Sequence, residues 1–288
     1  MAENAQKMNP LMSVMRQPKV YITLPSRGRY YPEGALDPTV NGEYPVYSMT
    51  AKDEIILKTP DALMNGQGVA DVIQSCMPNI RSAWGIPTID LDVILVAIRL
   101  ATYGDKMTLT INHESMDSEM DYETSLQEIL DKLQSNTTWE ERLEVRPDLV
   151  VFLKPIDYKT QTLSQIGDFE TQKLMSVIRD DTIDEETKLA QFKISFEKLT
   201  NRTIDVIVKA VHKIESTSGT VTDPVFLEEF LNNCDRDVFD KIKQQIEILN
   251  KNNQLKPLRI ASTEEMREKG APEFIEVPFS FDTANFFG

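Results

Sequence analysis

Histidine and cysteine, the side chains most often used for catalysis and metal binding, are scarce in this chain. Its 288 residues include two histidines, His113 and His212, and two cysteines, Cys76 and Cys234. Neither histidine has a second metal-ligating residue at the spacing of a zinc helix or a zinc knuckle. The cysteines lie far apart within helical patterns, which favours two ordinary thiols in a reducing compartment over a disulfide. We therefore expect no metal and no cofactor.

Two other stretches could in principle bind a ligand, and each has a simpler interpretation. The stretch NGQGVAD (65–71) follows no strand and lacks the third glycine of a dinucleotide fingerprint, so it is interpreted as a loop and helix start. The acidic stretch 114–123 lacks the residue order of a calcium loop and is interpreted as a solvated charge run. The chain also has no nucleophile elbow and no Walker loop, so we expect it not to be an enzyme.

The stretch ITLPSRGRYYPEG (22–34) concentrates two arginines and two tyrosines between prolines and glycines. Arginine beside tyrosine can grip and stack nucleic acid. The whole chain, however, has 31 basic against 46 acidic residues and a net charge of −15, which argues against nucleic acid and against anionic membranes. Two interpretations stay open, namely a turn whose tyrosines pack internally and a hairpin that docks on another protein.

Composition and apolar runs bound the class of protein. With 41% hydrophobic and 27% charged residues the chain is typical of a globular protein. The N-terminal residues lack the apolar core of a signal peptide, so no export is expected. The longest apolar run, VILVAIRLA (93–101), is far shorter than the roughly 20 residues of a membrane span, so we expect a buried helix.

The elements that must position these residues alternate between strand and helix patterns in the first half of the chain. KVYITLP (19–25) alternates with period two, and EYPVYSM (43–49) follows a turn signal, which together predict a hairpin. A Thr50–Asp53 capping box then predicts short helices up to residue 77. TIDLDVILVAIRLATYG (88–104) is predicted as a central helix that ends at a glycine, with strands at 106–112 and 148–156.

The second half has helical periodicity and an aromatic end. Seven residues recur at alternating spacings of three and four: Leu189, Phe192, Phe196, Leu199, Thr203, Val206 and Ala210. With a third segment at 238–249 they predict a three- or four-helix bundle, or a helical hairpin that packs against something else. The C-terminal EFIEVPFSFDTANFFG alternates again, which predicts a strand that adds to its own sheet or to a partner's.

The predicted fold is α+β and predominantly helical. It has a small mixed N-terminal domain with short antiparallel strands, followed by a helical bundle and a C-terminal strand. We divide the chain into a flexible N-terminal arm (1–17), a mixed α+β domain (18–156), a helical bundle (157–252) and a C-terminal extended segment (253–288).

Three stretches together resemble a known family. LPSRGRYYPEG (24–34), YPVYSMTAKDEIILKTPDALMNGQGVADVIQSCMPNI (44–80) and IDLDVILVAIRLATYG (89–104) are similar in order and spacing to the base plate proteins of T4-type contractile-tailed bacteriophages. The ending VPFSFDTANFFG resembles the tail of the same family. Relatives often have a Cys-x-x-Cys knuckle where this chain has INHESMDSEM, so any structural metal of the family is expected to be lost here.

The resemblance implies a structural or assembly component of the baseplate hub that acts through protein–protein interaction. The alternative is a transient assembly chaperone, for the tape-measure protein or for hub proteins, that is absent from the finished virion. The expected partners are other hub or tail proteins. The expected location is the bacterial host cytoplasm during assembly, and the virion baseplate if the chain is retained.

The predicted docking interface combines the stretch around residue 28 with the aromatic C-terminus. Stiff prolines, permissive glycines and amphipathic tyrosines suit a docking hairpin. Its candidate residues are Leu24, Pro25, Arg27, Gly28, Tyr30, Tyr31, Phe279, Phe281, Asp282, Phe286 and Phe287.

Overall fold

A computed structural model shows an α+β fold that is mostly helical, with 51% helix and 23% strand in small antiparallel sheets. This confirms the predicted fold class. The structure describes residues 15–59, 65–111, 120–135, 139–178, 185–253, 257–268 and 270–277.

The first core is built on an N-terminal hairpin. Strands β1 (Pro18–Thr23) and β2 (Glu43–Tyr47) pair antiparallel, with the buried Ile22 opposite Tyr44. Helix α1 (Ala51–Leu57) follows and begins with the predicted capping box, in which the Thr50 and Asp53 side chains each accept from the other's backbone N–H.

Helix α3 (Thr88–Tyr103) forms the centre of this core. Its residues 93 to 98 are all buried, because the helix is apolar nearly all round and packs on the hairpin and on helix α2 (Gln67–Cys76). It ends at Gly104, which adopts a φ of 88°, a backbone angle that glycine reaches at little energetic cost. Strands β3 (Lys106–Ile111) and β4 (Met120–Ser125) then pair antiparallel, and the amphipathic helix α4 (Leu126–Ser135) packs its apolar face on α3.

The second core lies on a four-stranded antiparallel sheet. Strands β5 (Arg142–Arg146), β6 (Leu149–Leu153), β7 (Val211–Ser216) and β8 (Gly219–Val221) follow in that order across it. Helices α5 (Tyr158–Ile178) and α6 (Glu185–Ala210) form a helical hairpin between β6 and β7. Helices α7 (Pro224–Asn233) and α8 (Arg236–Asn253) cover the sheet with the last turns of α6.

This sheet corrects the expectation of helices alone between residues 157 and 252. Strand β7 pairs with β6 along its whole length, so strand pairing crosses the proposed boundary after residue 156. The segment VHKIES continues directly from α6, and its β-branched and alternating residues pair with β6 instead of extending the helix. The division of the chain into independently folding units stays a prediction.

A small third core closes the described C-terminal part. Strands β9 (Leu258–Ala261) and β10 (Phe274–Val277) pair antiparallel around helix α9 (Glu264–Glu268). Their buried residues pack against Leu109 and Tyr122 of the β3–β4 hairpin. The alternation read from EFIEV is thus a strand that adds to this chain's own sheet.

Candidate docking surfaces

The stretch around residue 28 is a tight irregular loop, which we name the clasp loop (residues 24–34). The Arg27 N–H donates to the Leu24 carbonyl at 2.8 Å, and the Arg29 N–H donates to the Ser26 carbonyl at 3.1 Å. Arg27 and Tyr30 adopt positive φ angles of 54° and 70°, which side chains other than glycine rarely do. Such strain persists where surrounding contacts fix the conformation.

Asp90, in the first turn of α3, supplies those contacts from beneath the loop. Its buried carboxylate accepts from the Ser26 N–H at 2.8 Å, from the Ser26 hydroxyl, and from the Tyr31 hydroxyl at 3.0 Å. Burial raises the pKa of this carboxyl to about 6, although the three hydrogen bonds lower it. Burial of Tyr31, together with the nearby Asp90 charge, holds the pKa of Tyr31 well above its usual range. The loop is therefore bound to the central helix through one acid.

The other side of the clasp loop contacts the second core. The Tyr30 hydroxyl donates to the Glu141 carboxylate, and the Arg29 guanidinium donates to the same oxygen at 3.0 Å. Burial and Glu141 raise the pKa of Tyr30. Tyr30 packs against the second core and Tyr31 against the first. Adjacent tyrosines thus connect two cores.

Two further contacts bind the base of α5 to the first core. The Tyr158 ring stacks on Trp84 with centroids 5.3 Å apart, and its hydroxyl donates to the Gly66 carbonyl at 3.1 Å. A Cβ on Gly66, whose φ is 74°, would lie 2.9 Å from side-chain atoms of Thr162 and Tyr158. This glycine of the NGQGVAD stretch therefore serves close packing at a helix start.

The predicted docking residues are distributed between burial and exposure. Leu24 and Pro25 are buried, Gly28, Tyr30 and Tyr31 are partly buried, and Arg27 is exposed. The exposed side chains of the clasp loop thus include Arg27 and Arg29, the latter paired with Glu141, while its tyrosines are engaged within the chain. The remaining candidates lie outside the described residues: Phe279, Phe281, Asp282, Phe286 and Phe287.

The predicted N-terminal arm is anchored at its last residues. The Arg16 guanidinium donates to the carbonyls of Ser48 and Ser75, at 2.6 and 2.5 Å, and lies over the Tyr47 ring. The Asp53 carboxylate lies 3.7 Å away. Arg16 therefore binds the first core, and only residues 1–14 of the predicted arm lie outside the described part of the chain.

A surface that was not among the predicted docking residues lies on the helical hairpin. The first half of α6 exposes four large apolar side chains on one stripe: Leu189 (70% exposed), Phe192 (47%), Phe196 (60%) and Leu199 (37%). We name these four residues the seam. The two phenylalanine rings stack with centroids 6.2 Å apart. Contiguous exposed apolar surface of this kind marks interaction sites in soluble proteins.

The seam had a signal in the sequence, since its spacing of three and four was evident there. That spacing predicts a common face but does not say what covers it. Near the end of α6 the helix is covered by the second core, where Ile207 and Ala210 are buried among residues of α7 and α8. None of the described residues covers the seam to the same extent.

The described cysteine and histidine side chains do not form a reactive or metal-binding cluster. Burial, and secondarily the Asp53 carboxylate, raise the pKa of the Cys76 thiol to about 12, which keeps it protonated and unreactive. His212 is exposed on β7, and His113 lies outside the described residues. Among the residues that the structure describes, no three His, Cys, Asp or Glu side chains are grouped closely enough to bind a metal ion.

Comparison with known protein families identifies the family of this chain. A family model described as T4 bacteriophage base plate protein matches residues 17–256. The chain belongs to this family. The match confirms the resemblance read from three N-terminal stretches and extends it through the helical hairpin and the second core. No curated protein and no solved structure matches the chain.

Membership in the base plate protein family supports a structural component of a phage baseplate that interacts with other tail or baseplate proteins. Within the described ranges, no helix of this base plate family member is both long and apolar enough to cross a bilayer. The clasp loop, the central helix α3 and the seam all fall inside the matched residues.

Proposed function

We propose that this chain is a subunit of the baseplate hub of a contractile-tailed phage and acts there by binding other tail proteins. The family match over residues 17–256 carries the proposal, because it covers the first core, the helical hairpin and the second core up to α8. The protein is made in the host cytoplasm and is retained in the virion baseplate. It is a structural protein and not an enzyme.

The architecture is consistent with an interaction role. Catalysis requires convergent polar groups with perturbed pKa values in an accessible site. The Asp90 carboxyl group has a pKa raised to about 6, but it is buried and accepts hydrogen bonds from Ser26 and Tyr31. Its geometry suits a fixed loop and not a substrate.

A second candidate function is a transient chaperone of tail assembly, with the tape-measure protein or a hub protein as its client. The exposed seam favours it, since an apolar helical surface can shield a helical client and then release it. The two candidates differ in whether the chain stays in the particle.

Quantitative mass spectrometry of purified particles and of the lysate that produced them separates the two. A hub subunit is found in particles at a fixed small ratio to the other baseplate proteins, and this is the result we expect. A chain abundant in lysate and absent from particles would contradict retention and support the chaperone. A chain that cosediments with no tail assembly at any stage would contradict both.

A further inference from the structure

The seam is half of a longer heptad stripe. With Leu189 at position a, the spacing of three and four places Phe192, Phe196 and Leu199 at d, a and d. The same stripe continues through Thr203 and Val206 to Ala210. Sustained a and d spacing is the pattern of a helix that packs side by side with another helix.

The two halves of this stripe differ in what covers them. At the Ala210 end, Ala210 and the neighbouring Ile207 pack in the second core with Leu227 and Leu231 of α7. Thr203 and Val206 between that end and the seam are half-buried. The seam half is exposed, although its residues are larger and more apolar. A buried phenylalanine removes on the order of 200 Å² from water, and Phe192 and Phe196 leave about half of that area each in solvent. Since the covered half packs on a helix, the uncovered half offers the geometry for a second one.

The residues beside the stripe are basic, in contrast to the acidic chain. By sequence the e and g positions of α6 hold Lys188, Lys193, Arg202 and Lys209 against one acid, Glu186. The Lys209 ammonium pairs with Asp205 at 3.1 Å, and the Arg202 guanidinium lies where a Cβ on Gly167 of α5 would be. Lys193 is exposed and forms no ion pair with another described residue.

These charges favour one of two candidate partners for the seam, an acidic helix, over the other, a second copy of this chain. A second copy of the chain would place Lys193 opposite Lys188 in a parallel pair, or opposite another Lys193 in an antiparallel pair. Like charges at flanking positions disfavour coiled-coil pairing, and opposite charges favour it. The flanks of the seam thus suit an acidic helix better than another α6.

We propose that the seam is the docking site for an amphipathic helix of another tail protein, whose apolar stripe is flanked by aspartate and glutamate. The tail origin of this partner rests on the function proposed above. The chemistry of the site rests on the seam and its flanks alone.

A synthetic peptide of three heptads tests this chemistry with the full-length chain. The probe has Leu at positions a and d and Glu at e and g, and the matched peptide has Lys at e and g. Fluorescence anisotropy should show that the Glu peptide binds at least about tenfold more tightly than the Lys peptide. Equal binding of the two peptides, or binding of neither, would overturn the proposal.

Matched variants locate the binding on the helix. Phe192→Ser and Phe196→Ser should each weaken the Glu peptide by more than about tenfold. Ile194→Ser, which removes an equally exposed apolar side chain (55%) from the opposite face of α6, should leave binding unchanged. Lys193→Glu should weaken binding where Lys198→Glu, outside the flanks, does not. Equal effects on the two faces would contradict docking at the seam.

Sedimentation velocity tests the competing occupant. We expect the full-length chain to remain monomeric at micromolar concentration. Self-association that Phe196→Ser abolishes would make a second copy the occupant and would overturn the acidic-helix proposal.

Phage complementation separates failure of this inference from failure of the proposed function. Wild-type chain should be recovered in tail assemblies, the Phe192→Ser/Phe196→Ser double variant should be lost from them, and Ile194→Ser should be retained. A double variant recovered like the wild type would overturn docking at the seam and leave the proposed function standing. A wild-type chain recovered in no tail assembly would overturn the proposed function and the tail origin of the partner.

Discussion

Helix α3 and the first half of α6 both have large apolar side chains at helical spacing, yet these side chains lie in opposite environments. In α3 every residue from 93 to 98 is buried. In α6 the seam residues Phe192 and Phe196 are about half exposed or more. Apolar spacing therefore specifies a face for contact, while the neighbouring elements decide whether this chain or another protein provides the contact.

Truncation of one large side chain in each helix should have very different effects on stability. Ile98→Ala should lower the free energy of unfolding by about 2–5 kcal/mol, because it leaves a cavity in the first core. Phe196→Ala should lower it by less than about 1 kcal/mol, because the side chain is 60% exposed and its ring stacks on the similarly exposed Phe192. Urea denaturation followed by circular dichroism measures both. Comparable losses would show that the seam is covered within the isolated chain.

A second prediction concerns the place where the hairpin base meets the first core. Gly66→Ala should destabilise by about 2–4 kcal/mol, since it adds a clash with Tyr158 and Thr162 to the cost of a positive φ. Gly42→Ala is the matched control, with φ at 75° and nothing within 4 Å of the added Cβ, and should cost about 1 kcal/mol. Thermal denaturation distinguishes the two, and equal shifts in melting temperature would remove the packing explanation.

A third prediction uses the pH dependence of the Asp90 cluster. Its pKa is raised from 3.8 to about 6, so the folded protein binds a proton more tightly than the unfolded chain does. Stability from this group is therefore present below about pH 4 and is lost as the pH rises through 6. Relative to Asp90→Asn, which does not titrate, the wild type should lose about 2 kcal/mol between pH 4 and pH 7. Urea denaturation across this range checks the difference, and parallel curves would contradict it.

The smallest effects should separate the two adjacent tyrosines. Tyr31→Phe removes a buried hydrogen bond to Asp90 and should cost about 1–3 kcal/mol. Tyr30→Phe removes a hydrogen bond to the partly exposed Glu141 and should cost less than about 1 kcal/mol. Equilibrium unfolding of the two variants gives the ranking. The reverse order would show that the contact with the second core holds the clasp loop more firmly than Asp90 does.

Local signals in the sequence were sufficient for much of the fold. The Thr50 capping box, the glycine stop of α3 and the alternating strands of the first hairpin were read correctly, because each depends on residues close in the chain. Strand β7 was missed because its pairing with β6 is long-range, across more than fifty residues of helical hairpin. Helical periodicity before it gave no indication of where the helix ends.

The clasp loop and the seam were harder to predict from the sequence than the fold. Tyr30 and Tyr31 were read as surface for a partner, and nothing local indicated that Glu141 and Asp90 would accept their hydroxyls. Whether the clasp loop docks on another protein stays a prediction that now rests on Arg27 and Arg29. The seam was visible as spacing, but its exposure depends on how far α7 and α8 extend along α6, which is a property of the tertiary structure.

Hydroxyl-radical footprinting of the chain, free and within isolated tail assemblies, shows whether another tail protein covers the seam. Oxidation of phenylalanine reports side-chain exposure, so the four seam positions can be followed beside Ile194 on the opposite face. We predict strong labelling of Phe192 and Phe196 in the free chain and protection of both rings in the assembly, with Ile194 unchanged. Equal labelling of the seam in the two states would contradict the claim that this surface is completed by another tail protein.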